Sequence, residues 1–300
     1  FMQYSLMIVG AFVMLSLMVS VLPRMIVSIK RVGEILECEE EINSHKKEFP
    51  KDFRSNIEFN NVSFKYPGAS ENSLNSVSFC INYGETVGII GSVGSGKTTL
   101  LRLILGLCEP CSGSICLGGE NILDFNKTSL LENISYVSQK SAVFSGSFKS
   151  NLTLGSENFD ETELQNALKV VKLEDLVAEK GLETPILQQG KNLSGGQKQR
   201  LALARNLLKK SRIYIFDDSF SSLDFKTEAE VRNEISKKLC GKTLIFVSQR
   251  ISTIKNADKI IVLNDGKIAA IGMHDELLKS CEIYKKTADL QNGGETLNEK

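Results

Sequence analysis

The sequence predicts an α/β fold with a parallel core, an antiparallel β part and a helical insertion, preceded by one long apolar helix. Three observations predict it. The apolar run Thr86-Val87-Gly88-Ile89-Ile90 leads directly into Gly91-Ser92-Val93-Gly94-Ser95-Gly96-Lys97-Thr98, and a helical apolar run follows over residues 98–107. Residues 213–216 and 243–248 are apolar without alternation, as in strands covered on both faces of a parallel sheet. Residues 57–59, 62–64 and 77–79 alternate instead, as short half-covered strands do.

The elements follow in order. Residues 1–23 carry no charge, and the 22 residues before Pro23 make a helix about 33 Å long, enough to cross a bilayer. A signal peptide needs a positive start and a small-residue cleavage site, and neither is visible. A soluble helix this long and apolar on every face is unusual, so a membrane span is expected. Arg24, Lys30 and Arg31 follow at once, which sets that end on the cytoplasmic side. The chain begins with Phe1, and we expect it to be the tail of a longer membrane protein. Residues 29–42 read as a helix turning Glu34, Glu37, Glu39, Glu40 and Glu41 outward, so that residues 1–43 form the span and its cytoplasmic extension. Residues 44–56, polar and containing Phe49-Pro50, read as a linker. Residues 57–290 are expected to form one nucleotide-binding domain, with a helical insertion over about 140–210 that shows helical periodicity at 160–179 and 196–210. Asn264-Asp265-Gly266 between two apolar runs predicts a hairpin. Residues 291–300 are left as a tail.

Composition excludes some partners. There are 36 basic and 36 acidic residues, so no long-range field favours a nucleic acid. Seven cysteines, scattered from Cys38 to Cys281, do not read as a disulfide framework. Cys108-x-x-Cys111 with Cys116 lacks a second Cys or His pair at ligand spacing, since His45 and His274 lie far off in sequence. Reduced cytosolic thiols are the reading.

The chemistry is concentrated in three strings. The glycines of residues 91–98 let the backbone turn its amides toward phosphates, with a helix N-terminus behind them. Lys97 reaches the β- and γ-phosphates of a nucleotide in such a loop, and the Thr98 hydroxyl ligates Mg²⁺. Ser92, Val93, Gly94, Ser95, Gly96 and Thr99 complete the nucleotide-binding set. Ile213-Tyr214-Ile215-Phe216-Asp217 is an apolar strand ending in a carboxylate, which places Asp217 at the strand end to hold the Mg²⁺ shell. Leu193-Ser194-Gly195-Gly196-Gln197 opens a helix with glycines and a hydroxyl, again an anion site.

With that last string the chain resembles the nucleotide-binding domain of exporter-type ABC transporters, and the resemblance covers essentially its whole length. Val62-Ser63-Phe64-Lys65-Tyr66-Pro67, Tyr136-Val137-Ser138-Gln139, Ser221-Ser222-Leu223-Asp224 and the segment Gly272-Met273-His274-Asp275-Glu276-Leu277-Leu278 also carry it. It implies a P-loop NTPase (RecA-like) core, with ATP and Mg²⁺ bound. It implies that Tyr66 stacks on adenine and that Gln139 contacts Mg²⁺ and reports nucleotide state to the membrane domain. By the same resemblance Ser194, Gly195, Gly196 and Gln197 close over the ATP of a partner domain in a head-to-tail dimer, with Asp224 in a loop crossing that interface. The chain would then reside in the cell membrane with its ATP-binding domain in the cytoplasm.

Two residues depart from the family pattern. Asp218 stands where efficient members carry Glu, and Gln249 where they carry His. Asp is one methylene short, and a misplaced general base forfeits part of a contribution of about 10²–10⁴-fold. Gln hydrogen-bonds but carries no proton at neutral pH. Gln188 and Gln189 also stand where relatives often have Glu. Both departures converge on one γ-phosphate while every binding motif is spared, so we expect a slow site in the weaker subunit of a heterodimeric exporter. A homodimer with Asp218 as a working base, a soluble ABC ATPase and a nucleotide sensor without transport are the alternatives. The transported substrate is not legible here, because its contacts would lie upstream of Phe1.

Overall fold

A computed structural model of the chain describes residues 1–37, 47–50, 56–154 and 159–298, in two units, Phe1–His45 and Lys46–Lys300. Parts of the expected helical extension and linker (38–46 and 51–55), four residues of the helical insertion (155–158) and the last two of the tail lie outside them. The first unit is helix α1, Met2–Leu36, long and apolar enough to cross a membrane. It runs through Pro23, where the sequence suggested an end. Proline removes one backbone donor there, a loss that a long apolar helix tolerates when its other bonds hold.

The second unit begins with the segment containing residues 47–50, part of the stretch read as linker. It is seated on the domain: Lys47 pairs with Glu120 at 3.0 Å, its N–H donates to the Asp124 carbonyl, and Phe49 is buried against Phe125. Strand β1, Ile57–Phe64, merges the two alternating segments expected at 57–59 and 62–64 across a bulge at Asn60 and Asn61. It pairs antiparallel with β2, Leu74–Ile81. Then come β3, Thr86–Gly91, and α2, Lys97–Ile104, on either side of the glycine loop. Strands β4, Ser112–Leu117, and β5, Glu120–Asn121, extend the antiparallel sheet in the order β2-β1-β4-β5. Helix α3, Lys127–Asn133, is capped by the Asn126 side chain and leads into β6, Ile134–Val137.

The stretch read as an insertion, about 140–210, is mostly helical. It holds β7, Gly146–Ser147; α4, Phe148–Thr153; α5, Glu161–Val170; α6, Glu174–Lys180; β8, Pro185–Ile186; and α7, Gly195–Leu208. The single periodic run at 160–179 is two helices, broken where Lys172 takes φ 56°. Strand β9, Ile213–Asp217, and helix α8, Phe225–Lys238, follow, then β10, Thr243–Val247, and the single turn α9, Ile251–Ile254. The hairpin of β11, Lys259–Asn264, and β12, Lys267–Gly272, forms around Asp265-Gly266 as expected. Helices α10, His274–Ser280, and α11, Glu282–Asn298, close the fold.

The central sheet runs β12-β11-β3-β10-β9-β6, parallel throughout except for the β11–β12 hairpin. Its strands divide their side chains between two cores. Ile213, Ile215, Ile245, Val247, Ile261 and Leu263 face one, while Tyr214, Phe216, Leu244, Phe246, Ile260 and Val262 face the other. Covering both faces is what makes these strands read as unbroken apolar runs. Because β3, β10 and β9 are adjacent and parallel, their C-terminal ends share one edge. There lie the glycine loop, residues 248–250, and Asp217 with Asp218.

Candidate functional site

The loop between β3 and α2 takes its shape from glycine. Gly94 and Gly96 stand at φ 82° and 99°, conformations that an L side chain rarely adopts. Within the loop Lys97 folds back, its Nζ donating to the Gly91 and Ser92 carbonyls at 2.8 and 2.6 Å. Burial lowers the Lys97 pKa, and the carboxylates of Asp217 and Asp218 oppose that shift. Ser92, Val93, Gly94 and Thr98 are exposed on the loop, whereas Ser95 and Thr99 are buried beneath it.

Tyr66 stands beside this helix. Its hydroxyl lies 3.3 Å from the Thr99 hydroxyl and accepts from Arg102 Nη1 at 3.1 Å, while Phe64 meets its ring edge-on at 4.9 Å. These contacts fix the ring next to the first turn of α2.

The acid pair sits at the end of β9. Asp217 is 6% exposed and accepts a hydrogen bond from the Tyr136 hydroxyl at 3.0 Å. Burial raises the Asp217 carboxyl above its ordinary value, while the Tyr136 bond and Lys97 pull it back down. Burial, with the charge and hydrogen bond of Asp217 behind it, pushes the Tyr136 hydroxyl well upward. Asp218 takes φ 47°, and its carboxylate accepts from Gln139 Nε2 at 3.2 Å. Burial and the neighbouring Asp217 raise its pKa, against the hydrogen bond from Gln139 and the charge of Arg250. Gln139 is thus engaged with Asp218 rather than with Asp217.

Gln249 is exposed just beyond β10 and lines an open cleft of about 1000 Å³ with Asp218 and Arg250. A smaller cleft of about 280 Å³ brings Gln249 together with Gly91 and Ser92 of the loop. The two departures thus share one cleft, and Gln249 alone also borders the glycine loop. Ser194, Gly195, Gly196 and Gln197 line neither cleft. Locally they are a helix start: Ser194 Oγ accepts the Gln197 N–H, and Gln197 Oε1 accepts the Ser194 N–H, a reciprocal cap on α7. Asp224 likewise caps α8 through the Thr227 N–H. Gln188 and Gln189 are exposed in a short turn before α7.

Sequence reasoning missed four residues that organise the site. Tyr136 was visible only as part of a motif and holds Asp217. Gln199 spans to the loop 221–224, its amide bonding Ser221 Oγ and the Ser222 N–H at 3.1 and 2.9 Å. Arg250 reaches the same loop at the Ser221 carbonyl, 3.1 Å away, and pairs with buried Glu228 at 2.8 Å. Glu228 sits on helix α8 among charges that are mostly solvated, Arg232 being the other buried one, so nothing in its sequence marks it.

Comparison with known proteins matches this arrangement. A family profile described as "ABC transporter" fits residues 74–221. An uncharacterised ABC transporter ATP-binding protein of Bacillus subtilis is 37% identical over 98% of the chain and 51% of its own length. An ATP-dependent lipid A-core flippase of Bordetella avium is 34% identical over 91% of the chain and 46% of its own. The solved structure of a bacterial Atm1-family ABC exporter with ATP bound superposes with a TM-score of 0.83 at 29% identity, covering 93% of the chain and 50% of that protein. The chain spans about half the length of the curated relatives it matches.

Proposed function

From the premise that this chain carries an exporter-type ABC transporter ATP-binding domain, we propose that it energises a membrane exporter through a dimer in which its own ATP site turns over slowly. The observation that carries this reading is the joint presence of Asp218 and Gln249 on one cleft beside an intact phosphate loop. In it, Lys97 and the loop amides hold the phosphates of ATP, and Tyr66 offers a ring to adenine. Asp217, Thr98 and Gln139 supply hard oxygen donors suited to Mg²⁺, and Asp217 fits that role as a buried carboxylate with spare acceptor capacity. These residues would hold Mg²⁺, whose charge would offset that on the phosphoryl oxygens. Ser194, Gly195, Gly196 and Gln197 act on the partner subunit's ATP, with Asp224 at the interface. Helix α1 anchors the chain in the cell membrane, with the ATP-binding domain on the cytoplasmic side.

Slow turnover follows from the base. Asp218 is shorter than Glu, and the Gln139 amide occupies its carboxylate. Gln249 offers an amide in place of a proton carrier. Asp218→Glu with Gln249→His should therefore raise single-turnover hydrolysis at this site by about 10-fold or more in the assembled transporter. The two changes should be non-additive, since both act on one water. Equal rates at both sites of the unsubstituted complex, each measured with the other disabled, would refute the slow-site reading. One observation favours a second reading, a homodimer with Asp218 as base: its carboxylate lines the open cleft, within reach of a water held there. Purification with a single kind of subunit would select it.

A further inference from the structure

The turn that carries Gln249 is held locally at Arg250, whose N–H donates to Ser248 Oγ at 3.0 Å, but not at the start of the helix that follows. Arg250 occupies the N-cap of α9, and its side chain makes no capping bond. The first N–H of α9, on Ile251, would be an orphan donor without a partner from elsewhere. Gln291 of α11 supplies one: its Oε1 accepts the Ile251 N–H at 2.8 Å, while its Nε2 donates to the Gln249 carbonyl at 2.7 Å. One amide thus closes both ends of the turn, a task that needs a donor and an acceptor on one planar group. The same face of α11 lines the small cleft through Ile283, Tyr284, Thr287 and Gln291, opposite Gly91 and Ser92. Tyr284 is 1% exposed and bonds His274 Nδ1 at 2.8 Å, which ties α11 to α10.

We infer that Gln291 is a positioning residue for the ATP site, through which the C-terminal helix α11 sets where Gln249 stands beside the phosphate loop. The inference rests on the functional reading above, in which Gln249 faces the γ-phosphate. It makes α11 a handle on that site, because any displacement of the helix removes both bonds from the turn. Arg250 holds the turn on its other side, through Glu228 and the Ser221 carbonyl, so loss of Gln291 should loosen Gln249 without unfolding the region.

The test uses the assembled transporter with Gln291→Ala and Gln291→Glu, measuring ATP affinity, single-turnover rate at this site and thermal unfolding. Gln291→Ala should slow the rate about 10-fold, the scale of a small misplacement at a reacting centre, with ATP affinity within about 2-fold. Gln291→Glu still accepts from Ile251, but its carboxylate cannot donate to the Gln249 carbonyl. Protonation restores that donor, so the ratio of its rate to that of the unsubstituted protein should climb as pH falls toward about 5. The same ratio for Gln291→Ala should stay flat. An unchanged rate in Gln291→Ala, or a pH-independent ratio in Gln291→Glu, overturns the inference. A parallel fall in affinity, rate and melting temperature overturns it too, by assigning Gln291 a merely structural role. Absence of ATP binding in the unsubstituted chain would overturn the functional reading itself, a separate outcome.

Discussion

Gly94 and Gly96 separate what the phosphate loop needs for folding from what it needs for binding. A Cβ at Gly96 would lie 2.7 Å from the Ser73 carbonyl oxygen and 2.7 Å from Leu74 Cδ2. The first is backbone, and Leu74 is wholly buried in β2, so neither yields cheaply. Gly96→Ala therefore combines about 1–2 kcal/mol of positive-φ strain with about 1–3 kcal/mol of overpacking, or about 2–5 kcal/mol in all. At Gly94 a Cβ would meet nothing within 4 Å, so Gly94→Ala carries only the strain, about 1–2 kcal/mol. Against a typical stability of about 5–15 kcal/mol the difference is large. At about 2–4 °C per kcal/mol, Gly96→Ala should melt about 2–12 °C below Gly94→Ala. Scanning calorimetry of the two variants without nucleotide measures this. ATP titration should give the other half: Gly94→Ala stays folded yet loses about 10-fold or more in affinity, because its methyl enters the open space proposed for the phosphates. Equal melting temperatures would refute the packing argument, and unimpaired ATP binding by Gly94→Ala would refute the proposed phosphate position.

Three other predictions are independent of it. Lys97→Ala should weaken ATP binding by removing the charge proposed to meet the β- and γ-phosphates, and unchanged affinity for Mg²⁺·ATP would sink that assignment. Tyr136→Phe should destabilise the nucleotide-free domain by about 1.5–3 kcal/mol near neutral pH, since it takes a hydrogen bond from a buried carboxylate. Losing that bond raises the folded-state Asp217 pKa further, so the deficit is complete above it and fades as pH falls toward the ordinary value of 3.8; pH-dependent melting reads it, and a flat difference would contradict it. Removing residues 1–45, the first unit, should release an ATP-binding domain that needs no detergent, whereas the whole chain should require it; a whole chain monodisperse without detergent would show α1 to be misread.

Much of this protein is legible without coordinates, for a physical reason. Strands covered on both faces must be apolar throughout, so β9 and β10 announce themselves. A loop that turns its amides inward needs glycine at fixed offsets, and so marks itself and its flanking strand and helix. The charge-free first segment is equally plain, and Asp-Gly set the β11–β12 hairpin. The sequence was weaker wherever a residue's role depends on what lies opposite it. Residues 47–50 looked like linker because one buried aromatic, Phe49, is too little signal beside polar neighbours. β4, with only Ile115 and Leu117 fully buried, does not alternate strongly enough to be seen. Lys172 breaks a helical period that composition alone would carry through. At the site, residue type was enough to nominate Lys97, Asp217, Asp218 and Gln249, because their chemistry is rare in those settings. Partners such as Tyr136, Gln199, Glu228 and Gln291 are ordinary residues made specific only by adjacency. Chain folding brings Gln291 back across 42 residues to the Gln249 carbonyl, and a hydrogen bond of that kind depends on distance in space, which no local pattern encodes.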